Sequence, residues 1–303
     1  MNTYSWNAKD YERNSEAQQK WARELIANLN LTGVEDILDL GCGDGKVTAE
    51  IARLVGGGSV VGVDNSRQMI DLAKERYSQN QHPNLSFQVM DAGDLSFEDC
   101  FDVVFSNAAL HWVKNHKPVI DGLYKSLRFG GKILLRMGGK GDAEGIISIM
   151  DELKASNQWA QYFTEFEFPF SFLGVDEYQA LLKASGFSIK RVELMPKDMT
   201  HNGKPGLEGW IRTTWLPYTE RIPTEKRGMF IEQAAAKYLD KVPLAADGKA
   251  HVAMVMLEVE AEKSHKAIAK NTSQVGIFFA GNRLSSGLTF YTNNRLQSGN
   301  FSR

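Results

Sequence analysis

Three glycines and a set of strand-end acids are spaced as a nucleoside site would need them. Gly41, Gly43 and Gly45 alternate through Ile37-Leu38-Asp39-Leu40-Gly41-Cys42-Gly43-Asp44-Gly45-Lys46. Without side chains they let the backbone pass close under a ligand. The helix expected from Val47 to Leu54 would offer unpaired N–H groups and a positive dipole end to whatever lies in the turn. Asp64 closes the apolar run Val60 to Val63 and could accept both hydroxyls of a ribose. Asp91 closes Ser86 to Met90 and could accept an adenine amino group. Met69, in a helix that Ser66 would cap, could cover one face of the base, and Asn107 ends a fourth apolar run from Phe101.

The spacing narrows the ligand. G-x-G-x-G is neither the G-x-G-x-x-G of dinucleotide enzymes nor the phosphate loop, since Val47 follows Lys46 where Ser or Thr is required. A pyrophosphate favours added cations, whereas here Asp39 and Asp44 flank the turn. Asp39 could receive an ammonium group. An amine, a carboxylate and a ribose in one ligand describe S-adenosylmethionine, with S-adenosylhomocysteine as its product.

Strand and helix signals alternate along the first half, which predicts an α/β fold: a Rossmann-like, seven-stranded, mostly parallel sheet with helices on both faces. Ligands bind beyond the carboxyl ends of such strands, where Gly41, Asp64, Asp91 and Asn107 all fall. The fifth strand is expected at Lys132–Arg136, the sixth at Phe187–Leu194 and the seventh at His251–Glu262. Roughly 55 residues separate the last two, too many for a bare turn. Helical patterns at Leu207–Leu216 and Thr224–Asp240 predict a lid over about 205–245, and a helix from Ser15 to Leu29 would close the same cleft from another side.

These motifs resemble the class I S-adenosylmethionine-dependent methyltransferases. Within that class the chain is similar to the trans-aconitate and juvenile hormone acid methyltransferase group. The likeness is carried by Trp6, Tyr11 and Asn14 to Gln18, by Leu38 to Gly45, Gly62 to Ser66 and Asp91-Ala92, by Ser106-Asn107-Ala108-Ala109-Leu110-His111-Trp112, and by Gly209 to Tyr218. It implies that Gln18, Asn65 and Ala92 join the cofactor contacts. It also implies that Tyr11, His111, Trp112, Trp210, Arg212 and Trp215 face the acceptor, with Trp112 walling its pocket. From the residues alone, Ile211, Trp215 and Tyr218 form a stripe that more often means packing. Arg212 lies off that stripe, as a surface residue or as a guanidinium fork for a carboxylate.

Composition sets the outer bounds. The 303 residues carry 35 Lys and Arg against 37 Asp and Glu, a net charge of −2, with 43% hydrophobic residues. No basic stripe points to nucleic acid. Two cysteines, Cys42 and Cys100, suggest neither a disulfide framework nor a metal site. With no apolar leader and no span-length apolar run, the expected location is cytoplasmic and no membrane partner is expected. No heptad or bare edge stands out, so a monomer is expected. The methyltransferase domain is expected to cover 1–263. Residues 264–303 form an atypical tail rich in Ser, Asn and Gly, holding Lys266, Lys270, Arg283, Arg295 and Arg303 and no acid.

Methyl transfer from a sulfonium is an in-line displacement, for which a protein supplies alignment and exclusion of water. A carboxylate acceptor is ionised at pH 7 and requires no general base. The sequence offers no base constellation: His111 is the one histidine beside a cofactor motif, and His116 reads as exposed. O-methylation of a small carboxylic acid is therefore the leading expectation. C- or N-methylation, a non-catalytic S-adenosylmethionine-binding protein and, least favoured by the glycine spacing, a nicotinamide dehydrogenase are the alternatives.

Overall fold

The computed structural model describes residues 16–264, with side chains from residue 21 onward. Tyr11 and the tail from residue 265 lie outside them. Seven strands form one sheet in the order β3-β2-β1-β4-β5-β7-β6. They are β1 (Asp36–Leu40), β2 (Ser59–Asp64), β3 (Leu85–Val89), β4 (Phe101–Asn107), β5 (Leu127–Gly138), β6 (Ser188–His201) and β7 (Ala250–Glu262). The first five pair in parallel, while β7 runs antiparallel between β5 and β6.

Pleat alternation divides the sheet between two helical layers. Ile37, Val103, Phe105 and Leu134 pack on one side against α1 (Glu16–Ala27), α2 (Lys46–Leu54) and α3 (Arg67–Arg76). Leu38, Leu40, Val104, Ile133 and Leu135 pack on the other against α4 (His116–Ser126) and α6 (Val175–Ala184). Arg136 ties α1 to the sheet: it is buried, pairs with Glu258 at 2.7 Å and donates to the Trp21 carbonyl.

The sixth strand is longer than its alternation suggested, reaching His201 instead of Leu194. Its last residues pair with the start of β7, Met195 to His201 lying against Ala250 to Met256, past the end of β5, where Gly138 pairs with Met256. This two-stranded arm carries the insertion α7 (Gly203–Thr214), α8 (Leu216–Thr219) and α9 (Thr224–Lys241). A third core unites those helices with α5 (Glu144–Ala155), with Met199, Val252, Met254 and Met256 of the arm, and with Trp159 and Phe163.

Candidate active site

The reversal of strand order between β1 and β4 places the loops after these strands on either side of a crevice. That crevice is the cleft. Backbone N–H groups of Gly41 and Cys42 donate to the Val63 carbonyl, at 2.8 and 3.0 Å, and hook the glycine turn onto β2. Gly41 has φ +78°, and a Cβ there would lie 2.2 Å from Cβ of Ala109, on the facing loop. Only glycine fits. A Cβ on Gly43 would meet nothing within 4 Å, so its backbone is bare toward the cleft. Gly45, with φ +80°, begins α2 and gives it no side-chain cap.

Asp64 organises this wall. Its Oδ2 accepts from Gly43 N at 3.0 Å and its Oδ1 from Ser66 N at 2.8 Å. Burial pushes its carboxyl up, and these two N–H groups oppose the rise. Each oxygen keeps a lone pair for a ligand hydroxyl. Ser66 caps α3 by accepting from Met69 N, which seats Met69 in the wall. Asp91 accepts from Gly93 N at 2.8 Å and faces the same space with Met90 and Ala92. Leu110, Trp112 and Val113 close the far side of the cleft.

Beyond Trp112 runs an aromatic seam. His111 is half-buried, and its Nδ1 accepts from Gly138 N at 3.2 Å. That bond fixes the ring proton on Nε2. Burial, helped by His116, pulls the His111 pKa down to about 4, so the ring is neutral at physiological pH. The segment 166–173, outside helix and strand, passes this point, with Ser171 N donating to the His111 carbonyl at 2.8 Å. Lys114 pins it by donating to the carbonyls of Phe168 and Phe170. Phe170 lies 4.6 Å from Trp112 and 5.6 Å from Trp215, measured between ring centroids, and Phe166 lies 4.5 Å from Tyr218. The seam joins the lip of the cleft to the helical insertion.

A family model described as a methyltransferase domain matches residues 37–131. An uncharacterized methyltransferase of Schizosaccharomyces pombe, C70.08c, is 35% identical over 226 residues, covering 73% of this chain and 84% of that protein. The chain belongs to the class I S-adenosylmethionine-dependent methyltransferases. A trans-aconitate 2-methyltransferase of Variovorax paradoxus is 27% identical over 269 residues, covering 85% of this chain and 98% of that one. The YcgJ protein of Bacillus subtilis has the same fold, with a TM-score of 0.58, 16% identity and coverage of 82% of this chain and 100% of that one.

In this methyltransferase Gly41, Gly43, Asp64, Asn65, Met69, Asp91, Ala92 and Trp112 all line the cleft. Two expected cofactor residues, Asp39 and Asn107, stand apart among the described residues. Asp39 is 2% exposed and accepts from Thr48 Oγ1 at 2.7 Å, off the cleft wall. Strand alternation turns it toward α2 while Leu40 and Gly41 meet the cleft. Burial, with the nearby Asp64 charge, lifts its pKa to about 7. Asp44, the second acid of the ammonium argument, pairs with Arg76 at 2.7 Å. Asn107 ends β4 without lining the cleft, and Gln18 falls on α1 with its side chain outside those described. Of the acceptor residues, Trp210 and Trp215 are buried in the insertion core and Arg212 lies on the exposed side of α7. His116 corrects the expectation of exposure: it is 3% exposed, edge-on to Tyr178, with ring centroids 5.6 Å apart. Leu40, Met90, Ala109, Leu110 and Val113 also line the cleft. Ala109 had a legible signal, a small residue opposite the glycine turn. Phe170 and Phe172 had one in the alternation Phe166, Phe168, Phe170, Phe172, which only the fold could assign to a site.

Proposed function

We propose that this methyltransferase O-methylates a small carboxylic acid by in-line displacement without a general base. One observation carries the reading: the histidine beside the cleft is neutral and its one basic nitrogen is already engaged by Gly138 N. A base would need that lone pair free. A carboxylate brings its own nucleophile, and the Nε2–H of His111 is suited to hold one of its oxygens.

The cleft fits the donor. Bare backbone at Gly43, a carboxylate with spare lone pairs at Asp64, a thioether face at Met69 and an acid at Asp91 match turn, ribose, base face and amino group. When bound, S-adenosylmethionine supplies an electrophilic methyl group together with its leaving group. The chain's own residues do the rest. Asp64 and the glycine turn orient the donor. Trp112, Phe170 and Phe172 form an apolar wall that excludes water from the reacting atoms. The insertion α7–α9 acts as a lid whose packing shapes the acceptor space. Its neighbours among trans-aconitate 2-methyltransferases are compatible with an acid acceptor.

Incubating the full chain with methyl-labelled S-adenosylmethionine and a panel of acids, amines and carbon nucleophiles tests this. Base-labile label on acids supports it. Label confined to amines or carbon overturns the acid claim and leaves the enzyme class standing. No helix among the described residues is long and apolar enough to cross a membrane. A monomer acting in the cytoplasm is part of the same proposal.

A further inference from the structure

Side chains cap the end of β5 on both of its edges. Toward β4, the Arg136 carbonyl accepts from Ala108 N at 2.8 Å, and the β4 chain then turns away with φ +57° at Ala108. N–H groups alternate between the two edges of a strand, so the next donor on this edge is Gly138 N. The His111 ring takes it, Nδ1 accepting at 3.2 Å. Toward β7, the last pair is Gly138 with Met256, and Val255 beyond it faces Pro196 of β6. Gly139 N donates to the Val255 carbonyl at 2.8 Å, and Val255 N donates to Asp142 Oδ1 at 2.9 Å. A ring and a carboxylate thus stand in for ladder partners that the neighbouring strands no longer supply.

Asp142 is 4% exposed and lies off the cleft wall. Its Oδ2 packs on Gly138: a Cβ there would lie 2.4 Å from Oδ2 and 2.7 Å from the Phe172 ring. Asp142 N donates to the Gly139 carbonyl at 2.9 Å, and Lys140 N donates to the Leu173 carbonyl at 3.1 Å, which ties the turn to the segment carrying Phe170 and Phe172. Ala143 follows with φ +53° and is 2% exposed. A non-glycine residue stays in that region only where its surroundings over-determine it. Capping one N–H requires no charge, since an amide oxygen would serve. Burial nonetheless lifts the Asp142 carboxyl to about 7, opposed by the Val255 and Ala143 N–H groups. Of the charged groups around it, Lys140 and Glu144 are exposed along the loop, Glu258 of β7 is closed by Arg136, and His111 lies across Gly138. A costly buried carboxyl, a strained residue and a glycine with no room for a side chain all meet at the peptide that holds the ring.

Resting on the reading in which His111 Nε2–H holds an acceptor oxygen, we propose that Asp142 is a positioning residue for the acceptor: by clamping Val255 N into the turn 138–142 it keeps Gly138 N–H on His111 Nδ1, and so sets the tautomer of the ring and the direction of Nε2–H. The hydrogen bond on one ring nitrogen decides where the other nitrogen carries its proton. At 3.2 Å that bond is at the long end of its range, so a small swing of the Gly138 peptide breaks it. Asp142 touches neither donor nor acceptor and acts through this peptide alone.

The test compares the full chain with Asp142→Ala, Asp142→Asn and Asp142→Ala in a His111→Asn background, using the best acid from the labelling panel. Asp142→Ala is expected to raise the acceptor KM about fivefold while S-adenosylhomocysteine binding by calorimetry stays at the parental affinity. Asp142→Asn, which keeps an oxygen for Val255 N, should restore the parental KM. In the His111→Asn background Asp142→Ala should add less than about twofold, because both changes cut one chain of contacts. NMR of the His111 ring nitrogens should show Nε2–H alone in the parent and in Asp142→Asn, and mixed tautomers in Asp142→Ala. A parental KM and tautomer in Asp142→Ala, an Asp142→Asn as impaired as Asp142→Ala, or effects that multiply in the double variant overturn the proposal. If Asp142→Ala binds no S-adenosylhomocysteine, a pH titration of the ring-nitrogen signals decides: a step near the Asp142 value of about 7 that Asp142→Asn removes supports the proposal, and a parent without the step overturns it. No transfer to any acid by the parent sinks the acid reading and with it the acceptor role, while the tautomer readout still decides whether Asp142 holds the ring.

Discussion

The rim of the sheet and the helical insertion treat polar atoms in opposite ways. At the rim the acids are engaged: Asp64 by Gly43 and Ser66, Asp91 by Gly93, Asp44 by Arg76, Asp39 by Thr48. The wall is therefore built before any ligand arrives, and a ligand is read by spare lone pairs and bare backbone. In the insertion and at the end of β6 beside it, five polar atoms, on His201, Trp210, Thr214, Trp215 and Tyr218, are buried with no partner among the described residues, each at a cost of about 1–3 kcal/mol. The first arrangement suits a cofactor that is the same in every turnover. The second leaves hydrogen-bonding capacity unspent inside a packed core.

This contrast can be broken most forcefully at Gly41. In Gly41→Val the new Cβ would meet Ala109 at 2.2 Å in a positive-φ backbone. A stability loss of about 3 kcal/mol or more, seen in denaturant melts, should accompany loss of donor binding. Acid tests both halves at once. His111 and His201 have folded pKa values of about 4, and His116 is also lowered by burial. Depressed values mean that the unfolded chain binds more protons as pH falls from about 6.5 to 4. The histidines' contribution to stability is then lost through that window, on the order of 2 kcal/mol after allowing for partial exposure, against an opposing gain from Asp39 and Asp142, whose carboxyls burial lifts to about 7. The difference between thermal melts of the parent and of His201→Asn, taken against pH, isolates the histidine part and should shrink toward neutral pH.

A sharper distinction concerns the chemistry. If His111 were a general base, His111→Asn would lower kcat by roughly a hundredfold or more and remove the acid limb from the pH profile. The base-free account expects a loss below about tenfold and a profile of unchanged shape between pH 6 and 9. The smallest effect has the opposite sign: Tyr218→Phe removes an unpaired buried hydroxyl, so the ligand-free protein should gain about 1 kcal/mol. A destabilised Tyr218→Phe would show that the hydroxyl has a partner and that the contrast between rim and insertion is false.

The rim was legible in the sequence because its determinants are local. A glycine turn, a strand-end acid and a capping Ser66 each lie within a few residues of the backbone they control, and the cleft gathers Gly41, Gly43, Asp64, Met69 and Asp91 as their spacing implied. Asp39 was misleading because one residue of strand phase decides whether a side chain meets the cleft or Thr48. His116 read as exposed because its burial comes from Tyr178, distant in sequence. The extra length of β6 came from pairing with β7, which no alternation within β6 encodes. The unpaired atoms of the insertion were beyond reach for the same reason: Trp159 and Trp210 look alike in sequence, and only the fold gives one a partner.

The central claim is that the rim of β1, β2 and β3 grips an adenosyl ligand through Asp64, independently of the insertion. Calorimetric titration of S-adenosylhomocysteine into the full chain and into Asp64→Ala tests it most directly. The account predicts one ligand per chain, with affinity weakened about a hundredfold or more in Asp64→Ala. Equal affinity in the two proteins, or heat from NAD with none from S-adenosylhomocysteine, would contradict it.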